Sequence, residues 1–259
     1  PFWGSDERLG PPIARRGKIV CIGLNFRDHA AETGAPIPKE PIIFLKATSS
    51  LAGPNGDVDI PRHSTKTDWE VEVPVVIGKR ASHVSEAAAM DHVAGYVLDN
   101  DYSERAFQLE RGGQWVKGKS CDTFAPIGPF LATKDEISDP DNLRMWLKVN
   151  GEMKQDSSSA SMIFKVPQLV SYVSQFMSLL PGDILSTGTP AGVGLGQKPP
   201  VFLKPGDEVE LGIEGLGPSR QRLRAYACRQ SRRPARWEGG RHHRRAHRYR
   251  PRVGAAIRT

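Results

Sequence analysis

A chain of 259 residues with 38% hydrophobic and 25% charged residues has the material for one large core or two small ones, and the composition of a soluble globular protein rather than a disordered or fibrous one. No apolar run reaches the length of a membrane span, no secretory signal is visible, and Cys21, Cys121 and Cys228 are too few and too far apart for a disulfide framework or a zinc site; together these point to a reducing cytoplasm. The net charge of +7 is unevenly spread: residues 227–259 hold eleven Arg, no Lys and one acid, so they carry +10 and the other 226 residues carry −3, which leaves the body with no basic excess to grip nucleic acid.

In chain order, "GKIVCIGL" reads as a short buried strand, and "NFRDHAAETG" as a short helix stopped by Gly34. "PIIFLKA" is a second strand. The Pro- and Gly-rich "LAGPNGDVDIPRHSTKT" reads as a connection, followed by "DWEVEVPVVIGK", residues 68–79, as one strand. The Ala-rich "SEAAAMD" predicts a helix and "VAGYVLDND" another apolar strand, ending in acids. "LRMWLKVNGEMKQD" is a hairpin turning at Asn150-Gly151. In "VPQLVSYVSQFMSLL" the helical spacing of Leu169, Val170, Val173, Phe176, Met177 and Leu180 makes those six core, with Pro167 acceptable in the first turn. "PGDIL" and "PGDEVEL" are turn-then-strand units, and "QRLRAY" is a last strand ending near Tyr226. Many short strands with few helices and no regular βαβ alternation predict a strand-dominated α+β domain. The Arg-rich run after Tyr226 has almost no apolar period. It reads either as a disordered basic arm or as an out-of-frame extension of a finished domain.

The run 68–79 poses a question. A strand alternates its side chains, so Glu70 and Glu72 share a face about 7 Å apart. They are tolerable there on a wet face, or with a cation between them. Trp69, Val71, Val73, Val75, Val76 and Ile77 make both faces largely apolar, which is more typical of burial. Asp99 and Asp101 repeat the spacing of two. Glu70, Glu72 and Asp101, with no nearby His or Cys, make a hard oxygen site suited to Mg²⁺, Mn²⁺ or Ca²⁺. His29 and Glu32 stand at i and i+3 of the first helix, so the carboxylate can fix the imidazole as a general base. A lone surface histidine is the bland alternative.

Taken together and in order, "GLNFRDHAAE", "DWEVEVPVVIGK", "NDYSERAFQ", "KSCDTFAPIGP" and "STGTPAGVG" closely resemble the fumarylacetoacetate hydrolase family, from about Lys18 to Tyr226. The resemblance is strongest to a bacterial branch of 2,4-diketo-3-deoxy-L-fuconate hydrolases, ureidoglycolate lyases and 2-hydroxyhepta-2,4-diene-1,7-dioate isomerases. It implies a mixed β-sandwich roll, a divalent metal, usually Mg²⁺ or Mn²⁺, and a homodimer acting on a small 2-oxo acid. It implies metal ligation by Glu70, Glu72 and Asp101, an acid-base pair of His29 and Glu32 on a lid helix, and charge stabilisation by Lys119. Arg105 and Gln108 are implied as substrate-carboxylate and water-positioning residues, and Thr189 as a substrate contact. Residues 1–17 are then the remnant of an N-terminal region, 18–226 the catalytic domain and 227–259 the tail. Two positions depart from the pattern: Phe26 stands where Tyr is frequent, and Val73-Pro74 follows the second glutamate. Pro74 lacks a ladder donor, so that stretch belongs at a sheet edge or a bulge.

The chemistry so implied is metal-assisted C–C hydrolysis of a 2,4-dioxo acid, such as a 2,4-diketo-3-deoxy sugar acid, with His29 and Glu32 activating water. The same site would serve decarboxylation, lyase chemistry or keto-enol isomerisation. The rival of another class is a basic-tail nucleic-acid binder, whose affinity would fall steeply with salt.

Overall fold

The computed structural model describes residues 9–14 and 17–226, and the expectations for the tail lie outside them. The strand-rich, helix-poor expectation holds. A six-stranded mixed sheet runs in the order Ala132–Thr133, Val93–Tyr96, Val75–Ile77, Ile184–Ser186, Ile19–Gly23, Ile42–Lys46. A five-stranded sheet runs Glu152–Ser158, Arg144–Val149, Glu208–Ile213, Gly217–Ala225, Asp57–Ile60. Short two-stranded ladders complete the strand pairing. Among the described residues no helix is long and apolar enough to cross a membrane.

Strand Ile19–Gly23 shows why its sequence is an unbroken apolar run. All five residues are buried, and its two faces serve different cores. Val20 and Ile22 join the main cluster with Phe26, Trp69 and Val71, while Ile19 and Cys21 join a smaller one with Val76, Val97, Ile127 and Ile184. A strand covered on both sides has no wet face to alternate toward. The hairpin also forms where expected, with both turn residues in the left-handed region, Asn150 at φ 51° and Gly151 at φ 82°, as a two-residue type I′ turn requires.

Four expectations need correction. The run 68–79 is three short strands, Thr67–Asp68, Val71–Glu72 and Val75–Ile77. The break at Val73-Pro74 is a change of sheet rather than an edge or a bulge: Val71–Glu72 pairs with Asp99–Asn100, while Val75–Ile77 enters the six-stranded sheet. Proline suits the crossing because no ladder donor is needed there. The stretch taken as a connection contains strand Asp57–Ile60, which pairs in parallel with Gly217–Ala225, Asp57 opposite Arg222; its partner is 165 residues away, so only the tertiary fold reveals it. Residues Glu86–His92 wind as a 3₁₀ helix rather than an α-helix, opening with an i→i−3 bond from Ala88 N to Ser85 O. The helix Val166–Ser174 buries Leu169, Val170 and Val173 but ends before Phe176 (62% exposed) and Leu180 (45% exposed). Its last turn tightens through i→i−3 bonds, Gln175 N to Tyr172 O and Phe176 N to Val173 O, which swings the later apolar residues off the buried stripe.

Candidate active site

The paired carboxylates sit on one antiparallel crossing of two segments. Strand Val71–Glu72 pairs with Asp99–Asn100, with Glu72 opposite Asp99, and Thr67–Asp68 pairs with Ser103–Glu104, with Asp68 opposite Ser103. Between the two ladders the Asp101 amide donates to Glu70 O at 2.9 Å, so the register is continuous from one end to the other. The Glu70 amide donates to the Asn100 side-chain oxygen at 2.9 Å. Period-2 alternation puts Glu70 and Glu72 on one face, and the crossing adds Asp101 to it. Each of the three offers an oxygen within 4.8 Å of the others, and all are buried.

Burying like charges this close requires compensation. Lys119 Nζ bridges Glu70 Oε2 at 2.6 Å and Asp101 Oδ2 at 2.8 Å. Arg105 donates to Asp68 Oδ2 at 2.7 Å and to Gln108 Oε1 at 3.1 Å, and its outer nitrogen lies 2.7 Å from Glu70 Oε1. Lys46, fully buried, pairs with Asp101 Oδ1 and donates to Tyr102 O at 3.2 Å. Burial opposes the charge on Glu70, but Lys119 and then Arg105 outweigh it and bring that carboxyl down to about 2. Burial likewise works against the Lys119 ammonium, yet Asp101 and Glu70 hold it above the usual lysine range. Glu72 goes the other way: burial, then Asp101 and Glu70, push its carboxyl well above the ordinary value.

Five carboxyls, Asp68, Glu70, Glu72, Asp99 and Asp101, thus surround three cations, Lys46, Arg105 and Lys119. Glu72 is met only by the Ser186 hydroxyl and by the Gly188 amide at 2.9 Å. Among the described residues no side chain reaches either Asp99 oxygen, and burial, against the pull of Lys46, raises that carboxyl to about 8. An all-oxygen donor set with more carboxyls than cations suits a hard divalent cation. Glu70, Glu72 and Asp101 are the residues that would hold it.

Gly188 cannot be another residue. Its φ is +94°, and a Cβ there would stand 2.9 Å from Asn25 Cβ, so the approach of its amide to Glu72 depends on glycine.

The helix Arg27–Thr33 carries His29 and Glu32 and is stopped by Gly34 in the left-handed conformation, as expected. His29 Nδ1 lies 3.1 Å from Glu32 Oε2. In the tautomer whose Nδ1–H donates to that carboxylate, Nε2 is the ring nitrogen able to take a proton. Glu32 Oε1 in turn accepts from Gly192 N at 2.9 Å, and the helix is tied down by Arg27 to Met162 O and by Ser157 to Asp28, each at 2.8 Å.

These parts share a cavity of about 320 Å³, whose wall includes His29, Glu70, Glu72, Arg105, Gln108, Lys119 and Thr189. Asp101 and Glu32 stand behind the wall, held to Lys119 and His29. All nine residues singled out from the sequence therefore meet in one place. The Thr189 hydroxyl is already engaged, donating to Val71 O and accepting from Gln155, both at 2.9 Å. A larger cleft of about 740 Å³, between residues 60–65 and 200–205, contains no carboxylate or imidazole; size does not identify the site here.

Sequence reasoning passed over Lys46, Asp68, Phe44 and Trp115. Lys46 had a signal, a lone cation ending an apolar strand. Asp68 had none; it accepts from Gly194 N and Leu195 N at 2.6 and 3.0 Å, which ties a distant loop to Arg105.

Comparison with known proteins identifies the architecture. Residues 18–224 match the family described as "Fumarylacetoacetate (FAA) hydrolase C-terminal". The chain belongs to the fumarylacetoacetate hydrolase family. It is 56% identical to "Putative hydrolase Bcen2424_5521" of Burkholderia cenocepacia (strain HI2424), over 86% of this chain and 80% of that one. Among solved structures it is similar to 2-hydroxyhepta-2,4-diene-1,7-dioate isomerase from Mycobacterium marinum, at TM-score 0.73 and 36% identity, over 83% of this chain and 77% of the other. It is similar also to fumarylpyruvate hydrolase from Pseudomonas aeruginosa in complex with Mn²⁺ and pyruvate, at TM-score 0.76 and 29% identity, over 87% of this chain and all of the other. Within the fumarylacetoacetate hydrolase family, then, relatives carry hydrolase and isomerase names on one fold.

Proposed function

We propose that this protein is a divalent-metal-dependent hydrolase that breaks a carbon–carbon bond of a 2,4-dioxo acid of the acylpyruvate type. The observation that carries the reading is the His29–Glu32 pair, 3.1 Å apart, on the wall of the cavity that also holds Glu70, Glu72 and Lys119. A cation bound by Glu70, Glu72 and Asp101, Mg²⁺ or Mn²⁺, supplies Lewis acidity toward the oxygens of the 2-oxo acid. His29 Nε2 takes a proton from water as the water oxygen bonds to C4, with Glu32 holding the opposite ring nitrogen and supporting the imidazolium. The C3–C4 bond then breaks, its electron pair passes into the enolate of the 2-oxo acid, and the proton held by His29 returns to C3. Lys119 and Arg105 stand as fixed positive charge where negative charge develops. Gln108, held by Arg105, orients the polar end of the substrate. Products are a carboxylic acid and a 2-oxo acid.

A second reading, isomerisation or decarboxylation of a 2-oxo acid, is favoured by the 36% identity to a protein named an isomerase. It needs the same enolate stabilisation but no attacking water. Acylpyruvates, oxaloacetate and a 2-hydroxydiene-dioate, each offered with Mg²⁺ and with a chelator, separate the two. With His29→Ala we expect acylpyruvate hydrolysis to fall roughly 10²–10⁴-fold, while oxaloacetate decarboxylation suffers less than it does in Lys119→Met. Hydrolysis untouched in His29→Ala would remove His29 as the base, and no acylpyruvate hydrolysis by the wild type would remove the hydrolase reading. The same reading includes a homodimer, supported by the outermost strand Ile42–Lys46, where Leu45 is 42% exposed. Sedimentation at a monomer mass would remove that part of it.

A further inference from the structure

The cavity is lined by charged groups, Glu70, Glu72, Arg105 and Lys119, and by apolar ones, among them Leu24, Ile42, Phe44, Leu109 and Trp115. Phe44 stands between a cation and an indole. Its ring centroid is 5.0 Å from Lys119 Nζ and 5.4 Å from the Trp115 ring, which meets it edge-on. Trp115 is seated against the first strand by design of the backbone: a Cβ on Gly23 would fall 2.5 Å from the indole Cζ3. Ile42 and Leu109 remain 42% and 47% exposed on this wall, an apolar surface that a ligand would cover.

Among the described residues the cations lining the cavity are Arg105 and Lys119, and both are paired with carboxylates already described. The Thr33 hydroxyl donates within its own helix, to His29 O and Ala30 O at 3.0 and 3.3 Å. A second carboxylate packed on Phe44 and Ile42 would meet apolar carbon and no unpaired cation, and a polyhydroxyl chain there would lose water without gaining partners from those side chains.

Resting on the reading of the site as one for a 2-oxo acid, we infer that the substrate bears an apolar acyl group, aliphatic or aryl, packed on Phe44 and Trp115, rather than a terminal carboxylate or a sugar-like chain. The wall then selects by covering apolar surface, and discrimination follows the tenfold-or-more scale that hydrophobic pockets supply.

Two measurements test this. The first is kcat/KM, with Mg²⁺, for 2,4-dioxo acids sharing one head and differing in the tail: phenyl, butyl, carboxyvinyl and trihydroxypropyl. The apolar tails should lead by about tenfold or more, and Trp115→Ala should erase most of that lead, chiefly through KM. The second needs no turnover: calorimetric affinity for 4-phenyl-2-oxobutanoate against pyruvate, in the wild type and in Trp115→Ala. A gain of about tenfold for the phenyl acid, absent from the variant, supports the wall even if no dioxo acid is hydrolysed, in which case the hydrolase reading fails and this inference stands. Equal affinity for the two acids, or faster turnover of the carboxylate or polyhydroxyl tails, overturns it. Trp115→Leu, which keeps an apolar wall, should restore part of the preference and so separates wall chemistry from misfolding.

Discussion

At the scale of single residues, the site is a problem of charge burial solved by pairing. Lys46 is the side chain that makes this plainest. It and Asp101 are both fully buried and joined as an ion pair, and its remaining acceptor is Tyr102 O. Replacing it with alanine leaves Asp101 with Lys119 alone and should cost about 3–5 kcal/mol, the usual penalty for removing one partner of a buried pair. Urea denaturation measures that loss, and a change under 1 kcal/mol would show that water or a side-chain shift replaces the ammonium. Lysine at that position was visible in "PIIFLKA", but its role was not. A strand pattern tells which face a residue occupies, and nothing in it says which carboxylate 55 positions away will lie opposite.

The helix Arg27–Thr33 and the loop 188–196 act as a pair of elements. The helix offers His29 and Glu32, and the loop receives Glu32 through the Gly192 amide. The contact is close enough that a Cβ on Gly196 would lie 2.2–2.6 Å from the Glu32 carboxylate. Gly196→Ala should therefore displace the carboxylate while leaving the backbone in place, because a carboxylate is the movable end of a flexible side chain. The expected result is a fall of about tenfold in hydrolytic kcat, in the range of a weakened general base, with an unchanged melting temperature. A drop in both would mean the loop itself is disturbed. The helix and its terminating Gly34 were legible because the i, i+3 spacing and the stop signal are local. The receiving loop was not, since Gly192 is there because the Lys154 carbonyl approaches it and Gly196 because the Glu32 carboxylate does, both from residues far away in sequence.

For the molecule as a whole, five buried carboxyls set against three buried cations tie metal affinity to stability. If the cluster of Glu70, Glu72 and Asp101 holds a divalent cation, saturating Mg²⁺ should raise stability by RT ln(1 + [L]/Kd), about 2.7 kcal/mol at a concentration 100 times Kd. Glu70→Ala should lose both this shift and activity. Thermal melts with and without chelator read it directly, and an identical melting temperature in the two would remove the metal assignment. The sequence alone determined the strand-rich class, the short helix and the hairpin, because alternation, caps and turn residues act over a few positions. The motifs named the family and pointed to nine residues. Only the tertiary structure decided that the run 68–79 is broken and divided among three sheets, and that Phe176 and Leu180 lie outside the core. It alone put an apolar wall beside the carboxylates. Those outcomes depend on which distant segments meet, and burial and pairing are properties of that meeting rather than of any stretch of chain.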